Sequence, residues 1–323
     1  MADKKKYLYG PVPSRRLGRS LGIDIVPHKV CTLDCVYCQL GKTLTKTVER
    51  KDYVPIQPVL AELAAALAEG VEADFISIAG SGEPTLHARL GELIDGIRQV
   101  TKIPVAIITN GTLLYRPDVR ADCAKADVVM PSLDGADERT FGKINRPYPG
   151  ISAEKVISGL CAFRKEFPGR IWLEVFLVEG INTDPEQIAA IREAIERIKP
   201  DKVQLNTAVR PTADPNIKRL SPERLRDIAA QLGPGCEVVA DFSPARHDKP
   251  DKSQTPPMAQ SHTPLVHEAL LSMLKRRPCS LNDISASLGI SRDEAMTHIS
   301  DLQRQNLVQS EEKDGRVFFK ACT

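Results

Sequence analysis

From residue 21 to residue 239, short β-branched runs alternate with longer amphipathic segments, the pattern of repeated βα units. Residues 21–26, 75–79, 105–109, 128–130, 172–178 and 203–205 read as strands buried on both faces. Between them, residues 58–68, 90–100, 152–167, 185–198 and 222–232 carry apolar side chains at helical spacing, several behind a Pro or Ser start signal. Periodicity gives parallel strands with crossover helices, and leaves open whether they form a doubly wound sheet or a partial barrel.

The periodic apolar content stops at Pro244 and returns at Pro264, with Pro, Lys, Asp, Ser, Gln and Thr between. This reads as a linker over residues 244–263, separating an α/β domain (1–243) from a smaller one (264–323). Residues 265–275, 281–288 and 291–305 look like three short helices, with Gly289 at a tight turn and Ser291 with Glu294 as a capping box. Residues 307–308 and 317–319 flank the hairpin signal Asp314-Gly315. Three helices and a hairpin describe a winged-helix-like module.

Charge names no partner. The chain's net charge is +2, and the segment after Pro264 carries as many acidic as basic residues. Asp293 and Glu294 open the would-be recognition helix, which opposes phosphate contacts and leaves nucleic acid uncertain as a partner. With no apolar leader or span, a cytoplasmic, membrane-free protein is expected, and in that compartment eight cysteines imply metal binding, catalysis or burial rather than disulfides.

Cys31-Thr-Leu-Asp-Cys35-Val-Tyr-Cys38 is the most informative stretch. Three thiolates on a loop leaving a strand can hold three corners of a cubane and leave the fourth iron open to a small chelator. A zinc site completed by His28 is the alternative. Cys123, Cys161, Cys236, Cys279 and Cys322 are scattered singly and read as small buried hydrophobes.

The Cys-x3-Cys-x2-Cys spacing, with Tyr37 before the last cysteine, resembles the radical SAM signature. That resemblance implies an α/β fold of partial (β/α)6 barrel type and a [4Fe–4S] cluster on Cys31, Cys35 and Cys38. It further implies S-adenosylmethionine as cosubstrate, an electron donor such as flavodoxin or ferredoxin, and hydrogen abstraction from a substrate the sequence does not name. Gly80-Ser81-Gly82-Glu83-Pro84 after the second strand resembles the family's loop for the methionine amino group. Thr109-Asn110 and Ser132-Leu-Asp134, after the next two strands, resemble motifs of the molybdopterin-precursor cyclases. They are thereby candidates for the methionine carboxylate and ribose.

Three further features complete the expected site. Trp172, Glu174, Phe176 and Val178 share one strand face, making Glu174 a candidate catalytic residue inside the barrel. Asn206 ends the sixth strand where adenine or substrate would sit, and Lys143 and Arg146 could meet an anionic substrate. The opening stretch from Gly10 to Gly22, rich in Arg, resembles a subgroup close to the wyosine-type tRNA synthases, although no cysteine precedes Cys31. Two alternatives to an enzyme of unassigned substrate are a tRNA-modifying enzyme of wyosine type and a cluster-based redox sensor acting through the winged helix.

Overall fold

The computed structural model describes residues 7–242 and 263–322, so nearly all of the expected linker lies outside the described residues. The chain opens with an antiparallel pair, β1 (Leu8–Ser14) and β2 (Gly18–Ile23). A two-residue ladder of β3 (Val30–Cys31) and β4 (Thr45–Lys46) follows. Then come α1 (Ile56–Ala68), β5 (Phe75–Ile78), α2 (Leu90–Val100), β6 (Val105–Ile108), α3 (Pro117–Cys123), β7 (Val128–Met130), α4 (Glu138–Asn145) and α5 (Ala153–Glu166). The first domain closes with β8 (Arg170–Leu177), α6 (Pro185–Ile198), β9 (Lys202–Thr207), α7 (Pro222–Leu232) and β10 (Cys236–Val238).

Eight strands form one sheet in the order β1-β2-β5-β6-β7-β8-β9-β10, parallel throughout except for the first pair. The edges do not pair with one another, so the barrel is open. Residues from both edges nonetheless line one cavity, Tyr9 and Val12 from β1 and Val239 and Asp241 from beyond β10, which requires a curved sheet. Ile76, Ile78, Val105, Ile107 and Val129 are fully buried between the helical layer and the interior, which is why these strands read as continuous apolar runs.

The six expected strands are all present, with β1 and β10 in addition. Pro11 and Pro13 hid β1, since proline donates no ladder hydrogen bond and is tolerated only on an edge, where β1 lies. Helices α3 and α4 are only seven and eight residues long, too short to show a periodicity. Side-chain oxygens of Ser152, Asp184 and Ser221 cap α5, α6 and α7, which fixes their starts.

The second domain comprises α8 (Thr263–Leu274), β11 (Cys279–Ser280), α9 (Leu281–Leu288), α10 (Arg292–Arg304), β12 (Val308–Lys313) and β13 (Arg316–Ala321). The complete capping box is at Ser280 and Asp283; Ser291 accepts from the Glu294 amide at 3.1 Å without the return bond. Cys322 is exposed, which corrects its expected burial, whereas Cys123 and Cys279 are buried as expected.

This domain bridges the barrel's open side. Tyr9 and Val12 of β1 pack into its hydrophobic core beside Leu270 and Met273. On the opposite edge its wing tip meets the barrel: Lys313 donates to the Ile217 carbonyl at 3.3 Å, Arg219 pairs with Asp314 at 3.0 Å, and Arg316 donates to the Asp241 carbonyl at 3.3 Å. Among the described residues, no helix is long and apolar enough to cross a membrane.

Candidate functional site

The cysteine loop is held by its backbone. The amides of Asp34 and Val36 donate to the Asn145 and Ile144 carbonyls at 3.0 and 2.9 Å, and the Ala213 amide donates to the Cys38 carbonyl at 2.8 Å. Each sulfur then receives a side-chain N–H from a different element. Asn110 Nδ2 lies 3.5 Å from Cys31 Sγ, Asn145 Nδ2 3.4 Å from Cys35 Sγ and Lys29 Nζ 3.0 Å from Cys38 Sγ.

Such donors suit sulfurs that carry negative charge, as cluster-ligating thiolates do. Burial pushes the Cys31 thiol up to about 12 and the Cys35 thiol well above its usual value, so a metal would have to displace the proton for these sulfurs to bind as thiolates. No group of three or more His, Cys, Asp or Glu among the described residues is arranged to hold a single metal ion. His28 is exposed, and the residue of its loop that reaches a sulfur is Lys29. The donor set fits a cubane, whose cysteines bind separate irons, better than one zinc.

The Gly80–Pro84 loop packs on this cysteine segment. The Lys29 amide donates to the Ser81 carbonyl at 2.7 Å and the Glu83 amide to the Val30 carbonyl at 3.1 Å. A Cβ on Gly82 would stand 2.1 Å from that Val30 oxygen, so glycine is required by close approach. Gly80 has φ +149°, and a Cβ there would strike the Asp24 carboxylate, which accepts from the Ser81 amide at 3.1 Å and hydroxyl at 2.6 Å.

Several of the expected ligand-binding residues are hydrogen-bonded within the protein. Glu83 is buried, with one oxygen taking the Thr85 amide and hydroxyl and the Thr109 hydroxyl, and the other taking the Asn110 amide at 2.8 Å. Asp134 is buried too, accepting from Tyr37 Oη, Asn145 Nδ2 and the Phe176 amide at 2.5, 2.7 and 2.8 Å; burial raises its carboxyl to about 6. Tyr37 stacks on Phe176 with ring centroids 3.9 Å apart. Thus Glu83, Thr109 and Asp134 brace the loops from behind.

Glu174 does lie on the barrel's inner face, but as a paired group. Its oxygens take Arg16 Nη1 at 2.5 Å and Asn206 Nδ2 at 2.9 Å. Burial would raise its carboxyl, yet Arg16, Asn206 and Arg15 outweigh burial and leave it below the usual value. Glu174 is thus held as an ion-paired carboxylate facing the cavity. Ser132 is half-buried and pairs with Glu174 through a backbone bridge. Lys143 and Arg146 are exposed; Arg146 faces Asp34 and Asp214 at 3.9 and 3.8 Å.

A cavity of about 620 Å³ connects these groups, running from Cys35, Tyr37 and Cys38 past Gly80, Glu174 and Asn206. Its far wall is Met273, Arg276, Arg277 and Asp283 of the second domain. Sequence reasoning missed Lys29 and Asn145 as sulfur partners and missed this wall altogether. A lysine two positions before Cys31 was the one local signal.

Comparison with known proteins identifies the family. Residues 25–198 match the model of the radical SAM superfamily and residues 263–317 that of the MarR family. The chain is 39% identical over 308 residues, 95% of its length, to a Brachyspira hyodysenteriae protein named GTPase Obg, of which it spans 43%. It is 36% identical over 233 residues, 72% of its length, to a UPF0026 protein of Methanocaldococcus jannaschii, of which it spans 71%. Streptococcus suis SuiB, solved bound to S-adenosylmethionine, shares the fold with a TM-score of 0.51 at 19% identity, over 68% of this chain and 50% of that one. The chain belongs to the radical SAM superfamily and carries a MarR-like winged helix behind its barrel.

Proposed function

We propose that this enzyme binds a [4Fe–4S] cluster on Cys31, Cys35 and Cys38 and uses S-adenosylmethionine to remove a hydrogen atom from a substrate in the cavity. The observation that carries the reading is the trio of sulfurs, each met by an N–H donor, with Cys35 and Cys38 lining that cavity. Given an electron from a donor such as flavodoxin or ferredoxin, the cluster and S-adenosylmethionine together supply methionine and a 5′-deoxyadenosyl radical.

The chain's own residues bind, orient and exclude water. Gly80, Ser81, Gly82 and Pro84 form the loop for the methionine end, while Tyr37 and Asn206 line the wall along which the nucleoside would lie. Asn110 and Ser132 stand at the ends of β6 and β7, facing the same end of the barrel. Glu83, Thr109 and Asp134 fix these groups, and the winged helix covers the open side so that a reactive radical meets substrate rather than solvent.

Anaerobic reconstitution should give a brown protein that forms 5′-deoxyadenosine from S-adenosylmethionine under reduction. Cys35→Ala should lose both colour and product. A colourless protein holding one zinc after iron reconstitution would end the reading.

A further inference from the structure

The cysteine loop meets the cavity through Cys35 and Cys38, and elsewhere it is crossed by a strap, residues 43–47, none of which lines the cavity. The Leu44 and Thr45 amides both donate to the Lys29 carbonyl at 3.1 Å, the Thr47 amide to the Cys31 carbonyl at 3.0 Å and the Thr43 amide to Asp34 Oδ1 at 2.7 Å. In the β3–β4 ladder Lys46 is the register partner of Cys31. Lys29, whose carbonyl takes two of these amides, holds its ammonium 3.0 Å from Cys38 Sγ. The strap thus lies one hydrogen bond from the backbone of Cys31 and of the lysine that touches Cys38.

Leu44 is 74% exposed, the most exposed large apolar side chain among the described residues. A single exposed leucine is ordinary; its setting is what distinguishes it. Lys42 and Lys46 flank it, and Lys143 precedes Ile144, whose carbonyl takes the Val36 amide of the cysteine loop; all three lysines are exposed. The acids nearby are engaged otherwise: Asp34 and Asp214 face Arg146 at 3.9 and 3.8 Å, and Glu49 pairs with Lys51 at 2.9 Å. Lys42, Lys46 and Lys143 therefore have no carboxylate partner among the described residues. An apolar centre rimmed by unpaired cations suits an acidic protein that binds briefly under electrostatic guidance. A second copy of this chain fits it poorly, since an isologous contact would set these lysines against one another.

We propose that the strap is the docking site of an acidic electron-carrier protein that reduces the cluster. The inference rests on the cluster reading above and adds the partner's chemistry and where it binds. The second domain walls the cavity and substrate fills it, so the strap is the carrier's approach to the sulfurs. One electron leaves the carrier's reduced cofactor and enters the [4Fe–4S] cluster, which passes from the 2+ to the 1+ state; no bond forms or breaks and no proton moves. The lysine rim speeds encounter, and Leu44 supplies the dry contact at its centre.

The test uses full-length, cluster-reconstituted protein and an acidic flavodoxin. Binding is read by anaerobic calorimetry, and cluster reduction by visible bleaching with flavodoxin hydroquinone or, separately, with dithionite. Lys42→Glu combined with Lys46→Glu should weaken flavodoxin binding about tenfold or more at low salt, by less as salt is raised, and Leu44→Ser a few-fold. Bleaching by flavodoxin should slow in parallel, while bleaching by dithionite keeps its wild-type rate. Lys102→Glu combined with Lys165→Glu makes the same charge change on exposed residues ahead of β6 and β8, at the other end of the barrel, and should bind as the wild type does. Unchanged binding in the strap variants, or an equal loss in the Lys102 and Lys165 variant, would overturn the docking site, and so would displacement of flavodoxin by transfer RNA. A protein that takes up no cluster fails the enzymatic reading; one that takes up a cluster and bleaches with dithionite but ignores flavodoxin fails the docking site alone.

Discussion

Arg276 and Asp24, 252 positions apart in sequence, form a salt bridge that joins the winged helix to the glycine loop of the barrel. Nε donates to Oδ2 at 2.9 Å, with the two side chains 12% and 8% exposed, and the same carboxylate holds the Ser81 amide and hydroxyl. Arg276 also lies over the Tyr9 ring at 4.8 Å. Arg276→Gln leaves Asp24 buried with its two serine donors but no counter-charge, and should cost about 2 to 4 kcal/mol of unfolding free energy. Arg219→Gln breaks an interdomain pair that is more than a third exposed on both sides, and should cost less than about 1 kcal/mol. Urea unfolding of both variants checks the contrast, and equal effects would contradict it. Asp24→Asn should in addition weaken S-adenosylmethionine binding, because Ser81 loses its anchor.

Lys29 is buried, and its ammonium is the charged member of the three sulfur donors. A positive donor favours the more negative, reduced cluster, so removing it lowers the reduction potential. Lys29→Met should shift the midpoint downward by on the order of tens of millivolts. Asn110→Ala should shift it less, since that donor is neutral and 3.5 Å from its sulfur. A redox titration followed by electron paramagnetic resonance reads both, and an upward shift for Lys29→Met would contradict the argument.

Glu83 accepts four hydrogen bonds from Thr85, Thr109 and Asn110 and donates none. Glutamine can accept on one oxygen only, and its NH2 would confront a hydroxyl or amide that is itself a donor. Glu83→Gln should therefore cost about 2 to 3 kcal/mol in denaturant unfolding while changing no charge at the protein surface. A variant as stable as the wild type would show that the network tolerates rearrangement.

What was legible in the sequence follows the range of the interaction. Helices α6 and α7 were bounded correctly because Asp184-Pro185 and Ser221-Pro222 are local start signals. The cysteine loop stood out because its three cysteines lie within eight residues. The Asp134 donors Tyr37, Asn145 and Phe176 are brought together only by packing of separate elements, so its hydrogen-bond network was not legible locally. The Asp24–Arg276 bridge, like the cavity wall it supports, left no periodic or motif trace at all.

The wing's position bears on whether the second domain reads DNA. A winged helix ordinarily places its recognition helix in the major groove, with phosphate contacts securing register. Here Lys313, Asp314 and Arg316, the tip of the β12–β13 hairpin, are spent on Ile217, Arg219 and Asp241 of the barrel. The exposed face of α10 presents Asp293, Glu294 and Met296 at its start, which repel or ignore phosphates, and Arg304 at its end, paired with Asp301. Two of the cations a DNA backbone would need are thus already engaged, and the free helix carries the wrong sign. Duplex DNA should bind no tighter than the roughly 10⁻⁴ to 10⁻⁶ M of non-specific association at physiological salt, with the same affinity for the reduced and oxidised cluster. Fluorescence anisotropy under anaerobic conditions measures both quantities. Nanomolar affinity that changes with cluster oxidation state would instead favour a redox sensor, and would require the wing to leave the barrel.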